Sequence, residues 1–182
     1  MIKAHCFTKD WINSFKQQKH LRRINPPVLE KMIHALSLLQ QLKAQGLDFT
    51  FKGGTSLVLL LDKSRRFSVD IDIITTQSRE EVEAILDKVV ANSHFNKWDL
   101  QDIRSYKEGL PKAHYAFDFA SSLNQSAHFV LLDILFEETD YPRLLSAPIQ
   151  SECNESEDVW EVYVPFIESI LGDKLTAFAP NT

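Results

Sequence analysis

Two linked stretches decide the fold: Lys52-Gly53-Gly54-Thr55-Ser56-Leu57, and then Arg65-Arg66-Phe67-Ser68-Val69-Asp70-Ile71-Asp72-Ile73. The chain has five glycines, and two of them stand side by side in the first stretch. Phe49-Thr50-Phe51 ahead of it reads as a short strand, and Thr55 to Leu61 behind it as a short apolar helix. A glycine pair between strand and helix permits a sharp turn and lets a ligand approach the main chain. It also leaves unpaired N–H groups at a helix start, an end that attracts phosphate. Thr55 and Ser56 add hydroxyl groups. A plain tight turn capped by Thr55 accounts for the same residues, so this loop alone identifies no ligand.

The second stretch supplies acids. Phe67 to Thr75 has the composition of a strand, yet Asp70 and Asp72 interrupt Val69, Ile71, Ile73 and Ile74. Aspartate is disfavoured in strands, and residues two apart on a strand share a face. Two carboxylates on one face repel unless solvent or a cation intervenes. Hard divalent cations such as magnesium favour oxygen ligands. A solvated sheet face is the competing explanation. A third acid, Asp133, stands alone in the apolar run Phe129–Phe136, where an ionised carboxylate is costly without a partner or a metal. Asp118, in Tyr115–Phe119, is its rival; the more continuous apolar surroundings favour Asp133.

Working outward, residues 9–19 predict a short helix, and Pro26-Pro27 breaks the pattern before a long helix from Pro27 to Gln45, stopped by Gly46. Ser78-Arg79-Glu80-Glu81 is a capping box opening a helix to about Ala91. Tyr115–Phe119, Phe129–Phe136 and Val159–Val164 predict strands, and Phe166 to Ala179 a helix. Three consecutive late strands point to an α+β fold, a mixed β-sheet with helices packed on it. The expected divisions are an N-terminal helical segment at 1–26, a core at 27–165, and the start of a C-terminal helical region at 166–182. That last helix stops so close to Thr182 that the chain is expected to be truncated before the rest of that region.

Bulk properties are those of a globular chain of 182 residues, 44% hydrophobic and 25% charged, which excludes wholesale disorder. No apolar run nears the roughly 20 residues that cross a bilayer, so no membrane partner is expected. The two cysteines make neither a disulfide framework nor a structural zinc site, and the cytoplasm is the expected compartment. Charge is uneven: residues 1–66 carry +8 and residues 67–182 carry −13. Such a split marks a surface for a polyanion or merely balances across the fold. The six histidines, His114 among them, show no metal-ligand spacing and receive no role.

Taken together, K-G-G-T-S-L, R-F-S-x-D-I-D, an isolated Asp in an apolar strand and the late segment Leu171–Thr182 resemble the AbiEii/AbiGii toxin family of nucleotidyltransferases. The resemblance runs from about residue 30 to the end. It implies a polymerase-beta-like nucleotidyltransferase fold, with Gly53, Gly54, Thr55 and Ser56 contacting the phosphates of a nucleoside triphosphate. Asp70 and Asp72 would bind Mg2+, Asp133 would complete the metal and catalytic set, and Lys174 would reach the phosphates. Lys52, Arg65 and Arg66 are lesser candidates. Thr55 stands where many related enzymes have serine, but the hydroxyl is kept. A further Lys/Asp-containing helical motif of the family would lie beyond Thr182.

The implied activity is transfer of a nucleoside monophosphate from an NTP to RNA, for instance tRNA, or to a protein. Its setting would be a bacterial toxin–antitoxin or phage-defence pair with a cognate antitoxin. A nucleotidyltransferase fold kept only for binding nucleotide or a partner is the alternative. A metal-dependent nuclease would need no triphosphate cradle. A P-loop kinase is disfavoured because G-x-x-x-x-G-K-[ST] does not occur.

Overall fold

The computed structural model describes residues 1–61, 68–101 and 111–178. The helices are α1 (Lys9–Ser14), α2 (Pro26–Ala44), α3 (Gly53–Leu60), α4 (Arg79–Ala91) and α5 (Ile167–Phe178). The strands are β1 (Thr50–Lys52), β2 (Ile71–Thr75), β3 (Lys97–Leu100), β4 (Lys112–Ala120), β5 (Ala127–Phe136), β6 (Leu144–Pro148) and β7 (Glu161–Pro165). They form a mixed sheet in the order β3-β4-β5-β2-β1-β7-β6. β2 runs parallel to β5, and β1 runs parallel to β7; the other neighbouring pairs are antiparallel.

The two faces of this sheet differ. Phe51, Ile73, Ile134 and Ala113 are in register across β1, β2, β5 and β4, and all are buried. Tyr115, Phe117, Phe119, Val130, Leu132, Val162 and Val164 extend that buried face. Each such large side chain contributes roughly 1.5–3 kcal/mol by leaving water. The residues between them point the other way, and that second face carries the polar groups described below.

Helix α2 is buried almost all round rather than along one stripe. Its outer surface is covered by the N-terminal segment and by the loop before β7. Trp11 Nε1 donates to the Cys153 carbonyl at 3.0 Å, and Gln40 Nε2 donates to the Ile149 carbonyl at 3.2 Å. Ile2 bridges to Ser156. Glu30, on the same helix, accepts from Ser121 Oγ, Ser122 N and Ser122 Oγ at 2.6–2.8 Å, tying α2 to the β4–β5 turn. His34 is buried and stacks on Phe119, with ring centroids 3.7 Å apart.

Local signals act as their chemistry requires. Pro26 and Pro27 occupy the first helical positions of α2, where a missing N–H costs nothing. Gly46, at φ 88°, ends it: Leu47 N bonds the Leu42 carbonyl and Gly46 N the Lys43 carbonyl, as in a Schellman motif. The Ser78/Glu81 capping box opens α4 with both reciprocal bonds made.

Three differences from the sequence expectation stand out. β3 and β6 were not foreseen; both are short edge strands with mostly half-exposed residues. β2 begins at Ile71, so Asp70 precedes the strand instead of lying within it. The Thr55 hydroxyl takes the Asp70 carbonyl at 2.6 Å, which gives that carbonyl a partner outside the sheet ladder. Arg65 and Arg66 lie outside the described residues. No described helix is long and apolar enough to cross a membrane.

Candidate active site

The open face of the sheet carries one polar row. Lys52 on β1 is opposite Asp72 on β2, Asp72 opposite Asp133 on β5, and Asp133 opposite His114 on β4. In-register neighbours share a face, and adjacent strands lie about 4.8 Å apart. Four consecutive strands therefore bring two carboxylates together between a lysine and a histidine. Lys52, Asp72, Lys112, His114 and Asp133 line a hollow of about 190 Å³ there.

The glycine turn abuts this row. Gly53 has φ 77°, in the left-handed region that only glycine enters without strain. A Cβ added there would stand 2.9 Å from the Asp72 carboxyl carbon and closer still to one of its oxygens. So glycine is required twice at this position, for the turn and for the close approach of Asp72. A Cβ on Gly54 would meet Ser68 at 3.3 Å and the Lys174 ammonium at 3.6 Å. Helix α5 thus delivers Lys174 to the start of α3.

Thr55 and Ser56 are both buried. Their hydroxyls donate within the turn, Thr55 to the Asp70 carbonyl and Ser56 to the Gly53 carbonyl at 2.8 Å. Both side chains brace the loop, and the half-buried Gly53 and Gly54 are the part of it that meets Asp72, Ser68 and Lys174.

Electrostatics single out Asp72. Burial first, and then the neighbouring Asp133 carboxylate, raise it from 3.8 to about 7. Lys52 opposes the shift, and Asp70 adds to it more weakly. Two acids held at roughly 5 Å repel by about 3 kcal/mol at an effective dielectric near 20. A cation between them would relieve that repulsion. Among the described residues no group of three or more His, Cys, Asp or Glu is assembled as a metal cage. The donor set is a pair of carboxylates, which fits magnesium, an ion commonly bound by one or two carboxylates with substrate phosphates and water completing the shell.

Of the residues singled out from sequence, Gly53, Gly54, Asp72, Asp133 and Lys174 converge on this region. Asp70 lies at its edge. Asp118, the rival of Asp133, is opposite Phe129 and pairs with Lys97 at 3.6 Å. Three neighbours escaped sequence reasoning. His114 Nδ1 lies 2.6 Å from Asp133 Oδ1. Lys112 lines the hollow. Tyr141 donates to Asp173, and its phenol is pushed upward by burial, by Asp173 and, further down, by Asp72. Only strand register reveals His114; no spacing in the sequence links it to an acid nineteen residues away.

Residues 37–182 match the family model described as nucleotidyl transferase AbiEii toxin, type IV toxin–antitoxin system. The chain belongs to this family. Two solved structures from Helicobacter pylori share the fold of this AbiEii-family chain. One, provisionally described as a nucleotidyltransferase, is 19% identical with a TM-score of 0.50 over 81% of this chain. The other, JHP933, is 17% identical with a TM-score of 0.53 over 90% of this chain. The AbiEii-family chain spans 56% and 59% of the length of those two proteins. A comparison with curated proteins finds no match.

Proposed function

We propose that this chain carries the catalytic centre of a Mg2+-dependent nucleotidyltransferase, the toxin of a type IV toxin–antitoxin or phage-defence pair. The observation that carries this reading is the Asp72–Asp133 pair, in register on adjacent strands and packed against the Gly53 turn. In this reading the main chain at Gly53 and Gly54, with Lys174, holds the β- and γ-phosphates of an NTP. Asp72 and Asp133 hold Mg2+, and Asp70 supports them. Bound there, the ion supplies neutralisation of phosphate charge and orientation of the α-phosphate. The acceptor hydroxyl oxygen forms a bond to the α-phosphorus while the bond to the bridging β-phosphate oxygen breaks. Pyrophosphate leaves, and the hydroxyl proton passes to the Asp133 carboxylate or to water. Catalysis then rests on positioning and fixed charge, as in other phosphoryl-transfer sites.

The acceptor is a hydroxyl of RNA, such as a tRNA end, or of a protein side chain, and the reaction takes place in the cytoplasm. Membership of the AbiEii family supports a nucleotide substrate and a cognate antitoxin. The test is incubation of the protein with each α-labelled NTP, Mg2+ and either total RNA or total protein. Label transfer that Asp72→Ala and Asp133→Ala each abolish is the expected result. Transfer that survives Asp72→Ala removes the proposed role of the pair. NTP binding without any transfer replaces this reading with that of a nucleotide-binding protein on the same fold.

A further inference from the structure

The proposed chemistry gives no role to the two ends of the polar row, Lys52 and His114, and of these His114 bonds directly to an acid of the pair. Its ring contacts the carboxylate given a metal-binding role. The contact is short, 2.6 Å between Nδ1 and Asp133 Oδ1, and with the carboxylate accepting, Nδ1 carries the hydrogen. Both side chains are mostly covered, at 12% and 23% exposure. The two residues are a directly opposed pair in the long β4–β5 ladder. The sheet, rather than a loop or a long flexible side chain, therefore sets their geometry.

We propose that His114 is a positioning residue for the transfer, fixing the rotation of the Asp133 carboxylate. This inference rests on the reading that Asp133 serves at the reacting centre. A carboxylate on a strand can turn about its χ2 angle, a broad torsion with little intrinsic preference. One oxygen held by the imidazole defines where the other lies. A rigid ring that bonds directly does this at lower entropic cost than a lysine, and without a permanent charge to compete with a cation. Hydrogen-bonding partners of metal-binding carboxylates contribute about 10–100-fold to metal affinity or activity in other proteins. The alternative is that the His–Asp pair merely stitches two strands. In that case it would affect folding stability and leave the ion and the rate untouched.

Three proteins separate the two roles: wild type, His114→Ala and His114→Asn. The Asn amide can place a donor near the position of Nδ1, so it keeps the bond if rotation is what counts. Mn2+ titration followed by EPR reads the ion directly, thermal melts read the fold, and NTP turnover reads kcat and KM. Expected for His114→Ala is Mn2+ binding weakened about 10-fold or more and kcat lowered about 10–100-fold, with KM for the NTP within about threefold. His114→Asn should recover most of both losses. Unchanged Mn2+ affinity in His114→Ala overturns the proposal, as does an equal loss in Ala and Asn variants. No transfer by the wild type counts against the proposed activity, yet the Mn2+ comparison still decides the role of His114. No Mn2+ binding by the wild type overturns the positioning role outright.

Discussion

Asp72 opposes stability where it is placed, beside Asp133 at the candidate site. Burial, and then Asp133, raise its carboxyl from 3.8 to about 7 when no ion is bound. Between those two pH values the folded protein holds the proton more tightly than the unfolded chain. The favourable contribution is therefore complete below about pH 3.8 and is lost as pH rises to about 7. Above that the ionised group costs on the order of 4 kcal/mol, from three pKa units at 1.36 kcal/mol each. Asp72→Asn should accordingly stabilise the metal-free protein at pH 8 by roughly 1–4 kcal/mol, with the gain shrinking toward zero near pH 3.5. Urea denaturation in a chelator at both pH values measures it. A variant less stable than wild type at pH 8 would show that Asp72 is better satisfied than its surroundings indicate.

At the level of elements, helix α5 has two unlike sides. Ile170 is buried, whereas Ile167, Leu171 and Leu175, spaced four apart, are exposed. Residues four apart lie on one helix face, so the exposed three form a stripe and Ile170 anchors the helix from beside it. Truncating Ile170 to Ala should cost about 2–4 kcal/mol through lost burial and a cavity. The same change at Leu171, 55% exposed, should stay within about 0.5 kcal/mol. Chemical denaturation of the two variants distinguishes them. If Lys174, which α5 presents to the Gly54 turn, holds phosphate as proposed, the Ile170 variant should lose NTP affinity as well, and the Leu171 variant should not. Equal effects at both positions would mean that α5 packs through the other side.

For the whole molecule, the N-terminal segment is part of the core. Ile2, Cys6, Ile12, Phe15 and Leu21 are buried together with α2 and the sheet. Five such side chains at roughly 1.5–3 kcal/mol each amount to on the order of 10 kcal/mol, comparable with the entire stability of a typical domain. Removing residues 1–24 should therefore abolish cooperative folding. Near-UV circular dichroism and a thermal melt of the shortened chain would report it, and a sharp melting transition would contradict it. Loss of the fold would carry the candidate site with it, because α2 lies under the strands that present the polar row.

Much of the fold is legible in the sequence. Proline at the start and glycine at the end delimited α2, the Ser78/Glu81 box began α4, and apolar runs marked β4, β5 and β7, because these signals act through neighbours in sequence. The glycine pair and the isolated acids stood out for the same reason, since such residues are costly in a strand or helix unless something compensates, and the structure brings Gly53, Asp72 and Asp133 together. Sequence alone could not say which acids face each other. Asp72 and Asp133 meet because two strands far apart in the chain pair in parallel and in one register, and a shift by one residue would turn either carboxylate into the core. The same pairing brings His114 to Asp133, and the edge strands β3 and β6 exist only because a neighbour offers them hydrogen bonds. Local chemistry determined the elements; long-range pairing, which carries no local signal, decided the site.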